Sequence, residues 1–242
     1  MYRIGIDVGS TYTKYCVMRD DDVDALFMEK TPICQREFFD KKIHELKERF
    51  QGAEIISCGY GKGNVHAVKT INELTALARG SYYATKESGI VLDVGGQDTK
   101  VITQQNGLLR GFFLNDKCAA GSGMFLINVM DMLDVDFDAI ALGERRKNII
   151  HLSSTCAVFA QSEIVELIAN NADQKELIEA VIRQVFVKAS PLLKKVGDGA
   201  VLLSGGMSQI KGIVDFASRI LDTKCFTVEN GAYLSAIGCA IK

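Results

Sequence analysis

Asp93-Val94-Gly95-Gly96-Gln97-Asp98-Thr99-Lys100 carries the same frame as Asp7-Val8-Gly9-Ser10-Thr11-Tyr12-Thr13-Lys14, Asp-Val-Gly-x-x-x-Thr-Lys. Each copy follows an apolar run, Ile4-Gly5-Ile6 in one case and Ile90-Val91-Leu92 in the other. An acid at the end of a buried strand, followed by a glycine turn, suits a metal-bound phosphate. The carboxylate reaches Mg²⁺ through the water that this ion retains, and glycine lets backbone amides approach phosphate oxygens. Two such turns, one from each half of a duplicated chain, predict a nucleotide cleft between the halves.

The pattern around these turns supports a duplication. Tyr2–Val8, Tyr12–Met18 and Val23–Thr31 read as strands, Phe38–Phe50 as a helix, Glu54–Cys58 as a strand and Ile71–Ala84 as a helix. The sequence then begins again. Ile90–Val94, Thr99–Gln104 and Leu108–Leu114 read as strands, with an Asn106-Gly107 turn between the last two. Helices are predicted over Cys118–Leu133, Cys156–Asn170, Lys175–Lys195, Gln209–Leu221 and Gly231–Ile241, with strands at Ala200–Leu203 and Cys225–Val228. The expected fold is therefore α/β, a duplicated βββαβα architecture. Its first half is expected over residues 1–88 plus 229–242 and its second over 89–228, where the cysteines discussed below fall.

Bulk composition narrows the function. The chain has 242 residues, a net charge of −2, 48% apolar residues and two prolines. No basic run or bilayer-length apolar stretch occurs, so neither nucleic acid nor membrane is an expected partner. No secretory signal is visible at the start, and a cytoplasmic location is expected. Seven cysteines, an odd count in such a chain, argue against a disulfide framework. Cys16, Cys34, Cys58, Cys225 and Cys239 read as small apolar fillers. The three histidines show no metal spacing.

The phosphate residues follow from the repeated frame. Asp7 and Asp93 are candidate Mg²⁺ carboxylates, and Gln97 a candidate for orienting an attacking water. Gly9, Gly95 and Gly96 offer backbone donors, with Ser10, Thr11, Thr13 and Lys14 adding side-chain donors and Asp98 completing the second turn. Gly205-Gly206 offers a third backbone approach, to the nucleoside, and Gly121-Ser122-Gly123 a fourth. The chain has no P-loop and no dinucleotide fingerprint after its first strand.

Cys118 and Cys156 stand apart from the other cysteines. Each follows capping residues, Asn115/Asp116 and Ser153/Ser154/Thr155, so both are expected at helix N-termini, where amide donors and the helix dipole favour negative charge. Two cysteines cannot complete a four-thiolate site, but a two-fold dimer brings four. One iron–sulfur cluster shared by two subunits fits this arrangement. So do zinc at the same thiolates, a redox dithiol, or two unrelated capped cysteines.

Taken together, Ile4–Thr11, Gly59-Tyr60-Gly61, Asn72-Glu73-Leu74, Asp93–Asp98, Asn115–Phe125, Ser153–Glu163, Ser204-Gly205-Gly206 and Asn230-Gly231-Ala232 resemble a family. The chain is similar to the ATP-dependent activators (activases or archerases) of 2-hydroxyacyl-CoA dehydratases, of the BadF/BadG/BcrA/BcrD ATPase family. That family belongs to the acetate kinase, sugar kinase, Hsp70 and actin (ASKHA) superfamily. The resemblance implies a homodimer with one [4Fe-4S] cluster bridged by Cys118 and Cys156 of both subunits, and ATP/ADP with Mg²⁺ in each subunit. It implies reduction by ferredoxin or flavodoxin and ATP-driven electron delivery to an iron–sulfur dehydratase or a double-cubane cluster protein. This chain departs from the family pattern at Met124, Gln161, Ile210 and Ala76-Leu77. A sugar-type kinase of the same superfamily, with Asp98 as its catalytic acid, and a nucleotide-dependent switch protein are the rival readings. Neither explains the cysteine pair.

Overall fold

A computed structural model describes residues 1–116, 118–143, 149–153 and 156–242. Two five-stranded sheets carry the chain. The first consists of β1 (Tyr2–Val8), β2 (Tyr12–Arg19), β3 (Asp22–Lys30), β4 (Glu54–Cys58) and β5 (Lys69–Thr70), in the order β3-β2-β1-β4-β5. The second consists of β6 (Gly89–Val94), β7 (Thr99–Gln105), β8 (Leu108–Asn115), β9 (Val201–Gly205) and β10 (Cys225–Phe226), in the order β10-β9-β6-β7-β8. Counted within its own half, each sheet has the strand order 3-2-1-4-5. The repeated Asp-Val-Gly frame therefore marks a repeated topology, with its aspartate on the central strand each time. In both sheets the central strand runs parallel to the strand that follows the first helical crossover, β1 with β4 and β6 with β9.

The helices are α1 (Gln35–Arg49), α2 (Glu73–Thr85), α3 (Gly123–Leu133), α4 (Ala157–Ala169), α5 (Gln174–Leu193), α6 (Ile213–Leu221) and α7 (Leu234–Ala240). Compact contacts divide the chain into two units. One comprises Met1–Gly89, Ile102–Phe112 and Val228–Lys242, the other Ile90–Val101 and Phe113–Thr227. In the first unit, Ile4, Ile6, Val8, Tyr15 and Val17 pack against Phe39, Ile43 and Leu46 of α1. There α7 also lies against α2 at van der Waals distance. A Cβ on Gly80 would collide with the Leu234 carbonyl oxygen, and one on Gly238 with that of Ala76. The small residues of the last helix serve this close approach. The core of the second unit joins Leu92, Val94 and Leu203 to Phe125, Val129, Val181, Val185 and Phe186.

Several boundaries differ from the sequence expectation. The helix expected from Cys118 begins at Gly123, because Ala119–Gly121 form a single 3-10 turn and Ser122 is fully extended at φ −136° and ψ 166°. The helix expected from Gln209 begins at Ile213, where Gly212 takes a left-handed φ of 83° and resets the chain direction. The last helix opens with a 3-10 turn at Gly231–Tyr233. The short edge strand β5 carries no periodic signal in the sequence. Among the described residues, no helix is long and apolar enough to cross a membrane.

Candidate functional site

Asp7 lies near the end of β1 and is 7% exposed. The turn after it is tied down from β3's end: Thr31 Oγ1 donates to the Gly9 carbonyl at 2.8 Å, and the Thr31 amide donates to the Thr11 carbonyl at 2.9 Å. Thr13, expected to offer a hydroxyl to phosphate, is fully buried and shares a 3.0 Å hydrogen bond with Thr31 Oγ1. The strand's alternation turns its side chain inward. Thr11 behaves differently. Its Oγ1 is shielded from solvent and, among the described residues, has no hydrogen-bond partner. A shielded hydroxyl without a partner costs free energy, and this one fits a loop shaped for a polar ligand. Ser10 and Lys14 are half-buried.

A second element reaches Asp7 from the same unit. β4 places Cys58 in register with Asp7, and Cys58 Sγ donates to Asp7 Oδ1 at 3.5 Å. Burial first, then hydrogen bonding with Cys239 and the Asp7 charge, holds this thiol well above its ordinary range. The sequence reading treated Cys58 only as a small buried filler.

In the second unit Asp93 is 8% exposed, at the end of β6. The Gly95 amide donates to the Asp98 carbonyl at 2.9 Å, closing the turn, and Gln97 projects into solvent at its tip. Lys100, 4% exposed, lies 2.7 Å from Asp98 Oδ1 and 3.5 Å from Asp93 Oδ2. Sequence reasoning selected Lys14 from the repeated frame and passed over Lys100, its equivalent in the second copy. Removing one partner from a buried ion pair leaves the remaining charge uncompensated. Lys100→Met is therefore expected to destabilise the protein by about 3 kcal/mol, read as a lower denaturation midpoint at neutral pH.

The remaining glycines separate into two groups. Gly205 ends β9 at φ 84° and ψ −178°, a conformation open to glycine alone, and a Cβ there would collide with the Val94 carbonyl. Gly206 beside it faces open space, with nothing within 4 Å of a Cβ position. Gly121 and Gly123 do not offer their amides to a ligand. The Gly121 amide donates to the Cys118 carbonyl at 3.0 Å and the Gly123 amide to the Gly95 carbonyl at 2.8 Å. The Met124 amide donates to the Gly96 carbonyl at 2.7 Å, and Thr99 Oγ1 donates to the Gly121 carbonyl. The first turn of α3 is thus bolted to the Asp93 loop.

Cys118 sits at the start of the 3-10 turn that leads into α3, half-buried against the core of the second unit. It follows the end of β8 rather than a helix cap, so the helix-end argument does not apply to it. Cys156 does occupy an N-cap position, that of α4, and is exposed. Glu163 of that helix accepts from the Ser153 amide at 2.8 and 3.1 Å, fixing the approach to it. The expected caps Ser154 and Thr155 lie outside the described residues. Along α4, Val158, Phe159 and Val165 are each more than half exposed. Among the described residues, no three His, Cys, Asp or Glu side chains of one chain converge as metal ligands.

A twice-repeated 3-2-1-4-5 sheet, with an Asp-Val-Gly turn on each central strand, defines the class: the ASKHA fold of sugar kinases and actin. The chain belongs to the BadF/BadG/BcrA/BcrD ATPase family, whose model matches residues 4–241. It is 31% identical over 253 residues to the 2-hydroxyisocaproyl-CoA dehydratase activator of Clostridioides difficile, covering 100% of this chain and 94% of the relative. A structure of the activator of the 2-hydroxyisocaproyl-CoA dehydratase from Clostridium difficile with bound ADPNP superposes with a TM-score of 0.88 at 30% identity, covering 99% of this chain and 93% of that one. A ROK family glucokinase from Streptomyces griseus, at a TM-score of 0.60 and 13% identity over 99% of this chain and 98% of its own, shares the fold alone.

Proposed function

We propose that the chain is an ATP-hydrolysing activator that delivers electrons at low potential to a partner enzyme bearing its own iron–sulfur centre. One observation carries this reading. The segment that leads from Cys118 into α3 is hydrogen-bonded directly to the Gly95-Gly96 turn through the Gly123 and Met124 amides, and to Thr99 at the start of β7 through the Gly121 carbonyl. In this reading a change in the Gly95-Gly96 turn is passed through the Gly123 and Met124 bonds to the segment that carries Cys118.

In this reading Asp7 and Asp93 each serve as a carboxylate that meets Mg²⁺ through its waters. Gly9, Ser10, Thr11 and Gly96 contact the phosphates, Gly95, whose amide is held by the Asp98 carbonyl, shapes the turn, and the exposed Gln97 orients the attacking water. Gly206, open on one side, borders the nucleoside, while Gly205 shapes the turn that presents it. Each chain contributes Cys118 and Cys156, and two copies together make a four-thiolate site on a symmetry axis. The chemistry of the donors, four thiolates and no histidine, fits a [4Fe-4S] cluster. When bound, that cluster supplies one-electron transfer. The exposed apolar residues Val158 and Phe159, in the first turn of the helix that Cys156 caps, are suited to covering such a site in a homodimer. A ferredoxin or flavodoxin is the donor and a 2-hydroxyacyl-CoA dehydratase or a double-cubane cluster protein the acceptor. The similarity to the Clostridioides difficile activator supports the dehydratase.

The reading is tested by mixing the anaerobically prepared protein with reduced ferredoxin, ATP and a 2-hydroxyacyl-CoA dehydratase. Dehydration is expected to start only with hydrolysable ATP. ATP-independent activation, or phosphate transfer to an N-acetylhexosamine with no activation, would refute it.

A further inference from the structure

The end of β1 is gripped from a second strand. Cys58 Sγ donates to Asp7 Oδ1 at 3.5 Å, and the thiol is fully buried. Gly59 follows at φ +86°, and a Cβ there would lie 2.8 Å from the same carboxylate oxygen. The Gly61 amide then donates to the Val8 carbonyl at 3.1 Å. The turn over Cys58–Gly61 therefore wraps the carboxylate and the peptide beyond it. A side chain larger than hydrogen at position 59 would push into the oxygen that the thiol holds.

A carboxylate's terminal torsion is soft and roughly two-fold. An Asp that meets a metal through ordered waters needs that torsion fixed. Thiols are weak donors to neutral acceptors, but a carboxylate acceptor strengthens the bond, and little water competes at a site this shielded. We infer that Cys58 is a positioning residue for Asp7: its S–H fixes the carboxylate plane in which the hydrated Mg²⁺ of the bound nucleotide is received. This rests on Asp7 serving that ion, as proposed above.

Two readouts test it. In calorimetric titrations of ADPNP at varied Mg²⁺, Cys58→Ala is expected to raise the Mg²⁺ requirement about fivefold to tenfold, the loss of one hydrogen bond of ordinary strength, since a thiol is a weak donor. Binding of ADPNP without Mg²⁺ should stay unchanged. Cys58→Ser, which retains a donor, should return to within about twofold of wild type. In the infrared, the S–H stretch assigned to Cys58 by its loss in Cys58→Ala should lie low in wild type. It should move up in Asp7→Asn and on addition of Mg²⁺ with ADPNP. If wild type depends on Mg²⁺ and Cys58→Ala matches it, or if the stretch ignores Asp7→Asn, the positioning role is wrong and the nucleotide reading stands. If wild type binds ADPNP with no dependence on Mg²⁺, both fall. Should Cys58→Ala fail to fold, the stretch can be assigned in Cys58→Ser and the Asp7→Asn comparison decides alone.

Discussion

Asp7→Asn is expected to reduce ATP hydrolysis by about 10²- to 10³-fold, the range seen when one fixed electrostatic contact to a transition state is removed. The substitution is nearly isosteric and leaves Cys58 with an acceptor, so its main effect is the loss of one negative charge. Phosphoryl transfer depends chiefly on positioning and on neutralising charge with metal. An amide holds hydrated Mg²⁺ less firmly than a carboxylate does. The loss should appear mostly in kcat, with Mg²⁺-free ADPNP binding retained. Iron content should not change, because Cys118 and Cys156 belong to the other unit. Single-turnover hydrolysis under anaerobic conditions checks this. Wild-type kcat in Asp7→Asn would show that Asp7 is only a strand-end turn residue.

Cys118→Ala and Cys156→Ala are each expected to abolish iron binding outright. In a symmetric pair each substitution removes two of four ligands, and a cluster held by two thiolates is not retained. ATP hydrolysis should persist in both variants, because Asp7, Asp93 and Gln97 are left unchanged. Cys34→Ala and Cys225→Ala are the controls. One lies at the exposed start of α1 and the other in the core of the second unit, and neither should alter iron content. Iron analysis and visible spectra of the four variants separate a shared cluster from adventitious iron, which would survive the first pair of substitutions.

The repeated frame made the fold legible. An apolar run, an aspartate and a glycine turn locate the central strand of each sheet, and a second copy of the frame implies a second copy of the topology. The same frame holds Asp7, Asp93, Gln97 and the turn glycines, the residues on which the proposed function rests. Other features depended on neighbours that are distant in sequence. Cys58 reaches Asp7 only because β4 runs beside β1 in a particular register. Gly121 and Gly123 look like another glycine-rich phosphate loop until their amides are seen to bond inside the protein. Thr13 and Lys100 were within reach of the sequence. The alternation of β2 turns Thr13 inward, and Lys100 sits at the frame position where Lys14 was noticed. The start of α3 differs from the expectation because Cys118-Ala119-Ala120-Gly121 has helical composition, while Ser122 is extended and Gly123 and Met124 donate their amides to the Asp93 loop.

Iron and acid-labile sulfide, measured per chain in wild-type protein purified without oxygen, test the central claim most directly. The account predicts about two of each per chain, hence roughly four per pair of chains, in a brown protein that air bleaches. A colourless, iron-free protein that still hydrolyses ATP would contradict it and would leave a nucleotide-driven kinase or switch in its place.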